Sequence, residues 1–194
     1  MCIRDSLCRT ADSTLLLYPN AREPRTYRIP DGITAISAYA FYDCDLLESV
    51  VVPDSVTQLP ARAFSGCSAL ASVSLPDSLT EIGTAAFSGC SALTGIRIPA
   101  AITEIINHTF SGCTSLATLE IPDSVTKIGD YAFFGCTSLT SIAIPDSVTA
   151  IGNGAFSNCT ALTLTVTPDS YAAEYAKANN IPYTYPDAND WLYN

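Results

Sequence analysis

Pro76-Asp77-Ser78-Leu79-Thr80-Glu81-Ile82-Gly83-Thr84-Ala85-Ala86-Phe87-Ser88-Gly89-Cys90-Ser91-Ala92-Leu93-Thr94-Gly95-Ile96-Arg97-Ile98 returns, with like residues in like places, along most of the chain. Pro-Asp-Ser opens the unit with a turn, because proline fixes φ and Asp can bond the backbone ahead. Leu79 and Ile82 are three apart and point inward, and Gly83 breaks the segment, as do its equivalents Gly129 and Gly152. Ala86, Phe87, Cys90 and Leu93 then follow the three-and-four spacing of a short helical stretch, which Gly89 ends or tightens. After Leu93 the pattern alternates, Ile96 and Ile98 inward, Gly95 and Arg97 outward, and predicts a short strand that stops at Pro99.

Outward from this unit, three registers keep one beat. Proline recurs every 23 residues at Pro30, Pro53, Pro76, Pro99, Pro122, Pro145 and Pro168. Phenylalanine follows at Phe41, Phe64, Phe87, Phe110, Phe133 and Phe156, and cysteine at Cys44, Cys67, Cys90, Cys113, Cys136 and Cys159. A fixed period of roughly 20 to 50 residues marks a stacked repeat protein. One strand, turn and helical arc per repeat predicts an α/β-type solenoid of the leucine-rich-repeat kind, with about six 23-residue coils and short parallel strands. Equivalent residues of successive coils then lie about 4.8 Å apart. The phenylalanines become a continuous aromatic spine, with the leucine column Leu47, Leu70, Leu93, Leu116, Leu139 and Leu162 beside it.

The expected organisation is an N-terminal flank over 1–14, the solenoid over 15–168, a C-terminal cap over 169–186 and a tail over 187–194. Leu15-Leu16-Leu17-Tyr18-Pro19 and Tyr27-Arg28-Ile29 read as the two strands that begin the stack. At the back the last strand slips phase, with Leu164 and Val166 in the outward register and Thr165 and Thr167 in the inward one; a one-residue slip reverses the faces of a strand. Asp169 to Asn180 reads as a helix with Asp169 or Ser170 as N-cap, and Ile181 to Tyr185 as one more strand, a helix-strand cap over the open core. Met1-Cys2-Ile3-Arg4-Asp5-Ser6 is what the sequencing adaptor ATGTGTATAAGAGACAG encodes in frame, so residues 1–6 are expected to be an assembly artefact at the edge of a longer gene.

Composition narrows the function classes. Of 194 residues 48% are hydrophobic and 14% charged, enough apolar content for a core that grows linearly with repeat number. The formal charge of −10, without a basic stripe, argues against nucleic acid. No run of about 18 apolar residues exists, and Met1 to Thr10 shows no apolar segment of a secretory signal.

Three constellations carry possible chemistry. Neighbouring cysteine rungs sit within the Cα distances of a disulfide, but Cys-x22-Cys lacks the close pairs of a zinc site. Reduced, buried packing is the favoured reading, with pairing and metal binding as alternatives. Cys8 lies off the ladder. Asp follows the proline at Asp31, Asp54, Asp77, Asp123, Asp146 and Asp169, with Ala100 the exception. A calcium ion could relieve stacked carboxylates, yet calcium solenoids use denser Gly/Asp motifs, so solvated turn residues are favoured. His108, the only histidine, has no nucleophile motif beside it and reads as a surface residue. The expectation is no enzyme, no cofactor and no metal.

Two surfaces remain. Outward positions on the strand face are mostly small, and Ser72, Ser74, Arg97, Thr118, Glu120 and Ser141 form the candidate binding face, since regular strand faces are the usual interaction surface of solenoids. The more variable convex column, Tyr39, Tyr42, Arg62, His108, Tyr131 and Phe134, is the second candidate.

The unit Ile121-Pro122-Asp123-Ser124-Val125-Thr126-Lys127-Ile128-Gly129, followed by Ala132-Phe133-Phe134-Gly135-Cys136-Thr137-Ser138-Leu139-Thr140-Ser141-Ile142, resembles the BspA-like leucine-rich repeats of bacterial surface proteins, over roughly residues 15 to 186. The resemblance implies surface display or secretion, and attachment to protein or glycan ligands on host or neighbouring cells. The expected function is thus a non-enzymatic adhesion module; the alternative is a structural spacer presenting another domain of a longer protein.

Overall fold

The computed structural model describes residues 7–9, 13–18 and 25–186. The strands are β1 (Leu7–Arg9), β2 (Thr14–Leu17), β3 (Thr26–Arg28), β4 (Ala35–Ile36), β5 (Ser49–Val51), β6 (Gln58–Leu59), β7 (Ser72–Ser74) and β8 (Glu81–Ile82). They continue as β9 (Gly95–Arg97), β10 (Glu104–Ile105), β11 (Thr118–Glu120), β12 (Lys127–Ile128), β13 (Ser141–Ala143), β14 (Ala150–Ile151) and β15 (Thr163–Thr165). A helix α1 (Tyr171–Ala178) and a last strand β16 (Tyr183–Thr184) close the stack.

Each coil therefore contributes two strands, a three-residue one that the alternation after Leu93 announces and a two-residue one around Ile82 that it does not. Both stack in parallel register 23 residues apart: Thr118 opposite Gly95, and Lys127 opposite Glu104. Only β1 runs antiparallel, against β2. The expected flank residues 1–6 and tail 187–194 lie outside the described residues.

The arc between the two strands differs from the helical stretch its spacing suggests. Ala86, Ser88 and Cys90 donate their N–H groups locally, to the carbonyls of Gly83, Ala85 and Phe87. The alternate residues Ala85, Phe87 and Gly89 donate instead to Asn107, Thr109 and Ser111 of the next coil. An α-helix needs every N–H for its own i−4 carbonyl, so a segment that shares every second donor with its neighbour remains a chain of turns. Gly89 sits at φ +76°, and its equivalents are Gly66, Gly112 and Gly135, with Asp43 and Asn158 at the ends. These are the residue types that adopt the left-handed region at least cost.

The Pro-Asp-Ser turn is closed by the backbone, Leu79 N–H to Pro76 carbonyl at 3.1 Å. The serine rather than the aspartate makes the side-chain bond, and it reaches the previous coil: Ser78 donates to the Asp54 carbonyl at 2.8 Å and Ser124 to Ile102 at 2.7 Å. Asp77 pairs with Arg97 instead of with turn amides.

The interior is the predicted spine. Successive phenylalanine rings from Phe41 to Phe156 stack at centroid distances of 4.7 to 5.7 Å. All are at most 3% exposed. Tyr18 covers the front ring at 5.3 Å and Tyr175 of α1 meets the back one edge-on at 6.3 Å. Ser170 caps α1 by accepting from the Ala173 N–H, as its position before the apolar run predicts.

The phase slip expected in the last strand is not there. Leu164 pairs with Ile142 and is fully buried, and Val166 is 1% exposed. From Ile142 to Leu164 the spacing is 22, not 23, while Leu139 to Leu162 keeps the full beat. The chain has lost one residue in the turn before the strand, so the apolar residues stay inside and Thr163 and Thr165 join the outer face.

Candidate strand-face binding site

The three-residue strands place one small polar residue per coil at the same height: Thr26, Ser49, Ser72, Gly95, Thr118, Ser141 and Thr163. Short side chains keep the face low and leave a shallow trough of about 890 Å³ across β7, β9, β11, β13 and β15. Ser72, Arg97, Thr118, Glu120 and Ser141 line it together, with Thr165 at its end. Ser74 does not; it lines a neighbouring cavity of about 560 Å³ with Arg28, Asp31, Asp54, Asp77 and Arg97. Arg97 borders both.

Arg97 is tied to Asp77 at 2.6 Å, and both side chains are largely exposed. A surface pair of this kind is worth only about 0 to 1 kcal/mol, so Arg97 can exchange Asp77 for a ligand's acceptor at little cost. Glu120, one rung on, has no ion-pair partner among the described residues. Apolar surface is available too. Val73 is half-buried where its counterparts Val50 and Ile142 are buried, and the strand ladder is not continuous between β7 and β9. The trough thus offers a cation, a carboxylate, hydroxyls and an apolar floor, without a concerted acid–base pair.

The thiol column faces the core. Cys90 donates to the Phe64 carbonyl of the preceding coil at 3.1 Å, and Cys67, Cys113, Cys136 and Cys159 make the equivalent bond at 2.9 to 3.2 Å. Burial pushes Cys90 well above its ordinary range and Cys113 up to about 12. Metal binding needs the thiolate, which this environment disfavours. At the back of the column Cys136 is held up by its hydrogen bond with Cys159 and by burial, while that bond favours the Cys159 thiolate. Among the described residues no group of three or more His, Cys, Asp and Glu could hold a metal ion, and no helix is long and apolar enough to cross a membrane.

The second surface lies on the turn arcs. Tyr39, Arg62, Ala85, His108 and Tyr131 all adopt positive φ, from 53° to 62°. Spacing alone gives no sign of this, because no glycine marks the column until Gly154. There the glycine is required: a Cβ would lie 2.6 Å from the Tyr131 ring. Tyr39, Tyr42 and Tyr131 are 39 to 48% exposed.

No curated protein matches the chain. Among solved structures, a leucine-rich cell surface protein from Faecalibacterium prausnitzii A2-165 is 38% identical, with a TM-score of 0.72 over 87% of this chain and 47% of its own. The chain therefore spans about half the length of that relative. A leucine-rich repeat protein from T. pallidum is 27% identical, with a TM-score of 0.73 over 94% of both chains. One from Eubacterium ventriosum is 25% identical, with a TM-score of 0.60 over 79% of this chain and 48% of its own. The BspA type leucine rich repeat region matches residues 26–171 in six copies. Repeats of this kind serve generally as protein-interaction modules. Parallel coils on a 23-residue beat, the phenylalanine spine and these matches together place the chain in the BspA-type leucine-rich repeat family.

Proposed function

We propose that the chain is a non-enzymatic adhesion module of a secreted or cell-surface bacterial protein, taking a protein or glycan ligand of a host or neighbouring cell on its strand face. The observation that carries this reading is the trough itself: five of the six candidate residues line one open, regular surface with both charge signs and exposed hydroxyls. The printed description of the F. prausnitzii relative as a cell surface protein supports the location. The test is saturable binding of the purified chain to immobilised matrix proteins and glycans, repeated with Arg97→Gln and Glu120→Gln. Loss of binding in both variants, with unchanged thermal unfolding, supports the proposal; binding indifferent to both removes the strand face from it.

A second reading has its own support. The chain covers 47% of the F. prausnitzii relative, as a spacer holding another domain away from the cell would. A full-length gene with a distinct further domain, and repeats that bind none of the probes, favours the spacer.

A further inference from the structure

The turn-arc surface has a pattern that the repeat does not require. Its left-handed column runs Tyr39, Arg62, Ala85, His108, Tyr131, with Ala85 at the midpoint. On one side of Ala85 the Arg62 guanidinium lies over Tyr39, 5.8 Å from the ring centre. On the other, His108 stacks on Tyr131 at 5.3 Å and 12°. Each tyrosine is then met edge-on by an aromatic three residues later, Tyr42 at 5.6 Å and Phe134 at 5.9 Å. A repeat generates copies by translation, so both clusters would be expected to run the same way. Here the order reverses, and the strip reads alike from either end.

Two further observations mark the strip as more than packing. The other left-handed column uses glycine, Asp and Asn, whereas this one holds Tyr, Arg and His in a conformation that costs an L-residue energy. Gly154 shows that the position accepts glycine, so the side chains are retained against a backbone preference. Arg62 is also the one basic side chain without a carboxylate partner among those the structure describes. Arg25, Arg28, Arg97, Lys127 and Lys177 each have one.

A surface that reads alike from both ends is self-complementary under a two-fold axis lying across it. We propose that a second copy of this chain docks on the strip, antiparallel, with the axis over Ala85 and Ser88. Tyr39 then meets the partner's Tyr131, Tyr42 meets the partner's Phe134, and Arg62 lies against the partner's His108. The small residues at the axis let the two strips approach. Aromatic residues and arginine are the residue types that dominate interface energetics. Five rungs at about 4.8 Å make a strip roughly 20 Å long. Pairing two of them buries on the order of 1,000 Å² in total, at the lower bound of specific interfaces. The dimer is accordingly weak and concentration-dependent. Each copy carries −10, a repulsion that salt screens, so association strengthens with ionic strength, the reverse of an interface held by ion pairs. This contact leaves the strand face free and is independent of what that face binds.

Sedimentation equilibrium of the full chain, from about 10 µM to about 1 mM and at about 0.15 and 0.5 M NaCl, tests the contact. The expected result is a weight-average mass rising from 20.5 kDa toward twice that value, further at the higher salt. Ala85→Arg sets two cations face to face at the axis, on a column that already carries Arg62, and weakens the dimer at least about tenfold. The double variant Tyr39→Asn, Tyr131→Asn, with residues that tolerate the left-handed region, does the same at unchanged helical and strand content. Arg97→Gln, on the other face, leaves the dimer intact. A monomer throughout, association that survives Ala85→Arg and the double variant, or open-ended growth beyond two copies each overturns the proposal.

Discussion

Cysteine in this solenoid acts as a donor sized to a gap. The carbonyl of Phe64 accepts the Cys67 N–H within its own coil and the Cys90 thiol from the next, so the sulfur fills core volume and ties two coils at once. Cys90→Ala removes both and should destabilise by about 1 to 3 kcal/mol, read as a shift in the denaturation midpoint. The same burial makes stability depend on alkaline pH. Cys113 is raised from an ordinary 9.0 to about 12, and Cys90 is raised as well. Above pH 9 the unfolded chain releases protons that the folded one still holds, so ∂ΔG/∂pH is negative there. Stability should be full below about pH 9 and fall progressively toward about pH 12. Tyr18 and Tyr175, raised chiefly by burial, add to the fall with the same sign. Urea midpoints in a reducing buffer at stepped pH check this, and a Cys90→Ala, Cys113→Ala variant should show a visibly shallower slope.

At the level of elements, the arc is where sequence and structure part. Ala86, Phe87, Cys90 and Leu93 carry helical spacing because a chain of i+3 turns repeats on nearly the same period as a helix. Only the lateral bonds from Ala85, Phe87 and Gly89 distinguish the two. Those bonds depend on a neighbouring coil, which no local window contains. The left-handed column was hidden for a related reason: Tyr39, Arg62 and Tyr131 carry no local mark of positive φ. Leu164 illustrates the opposite error, a true alternation read against a fixed beat when the turn had shortened. By contrast the strand face was legible down to single residues, because period-two alternation needs no partner to be seen. Ser74 is the exception, assigned to the face correctly but separated by the corner at Asp77. One consequence can be tested directly. Gly89→Ala forces a Cβ into φ +76°, with nothing closer than 3.5 Å to clash. Its cost should therefore be the backbone term alone, about 1 to 2 kcal/mol. Gly83→Ala, whose Cβ would fall 2.6 Å from Ala61 N and the Pro60 carbonyl carbon, should cost more and should shift the neighbouring coil.

The whole molecule is a column in which each coil touches only the coils beside it, so stability is a sum of coil and interface terms. The spine makes those interfaces: Phe87 stacks on Phe64 at 5.5 Å and on Phe110 at 5.7 Å, while Phe156 has one phenylalanine neighbour and is closed by Tyr175. Removing Phe87 therefore damages two interfaces in the middle of the column at a cost of about 3 to 5 kcal/mol. If cooperativity is carried by neighbour contacts, the halves on either side should then open independently. Hydrogen exchange should show coils before β7 and after β11 protected to different extents in Phe87→Ala, where the parent chain exchanges as one unit. Phe156→Ala removes a ring of the same size at the end of the column. It should loosen β15, α1 and β16 while leaving protection through β9 unchanged. The two variants separate a linear stack from a single globular core, because a globular core would lose protection everywhere in both.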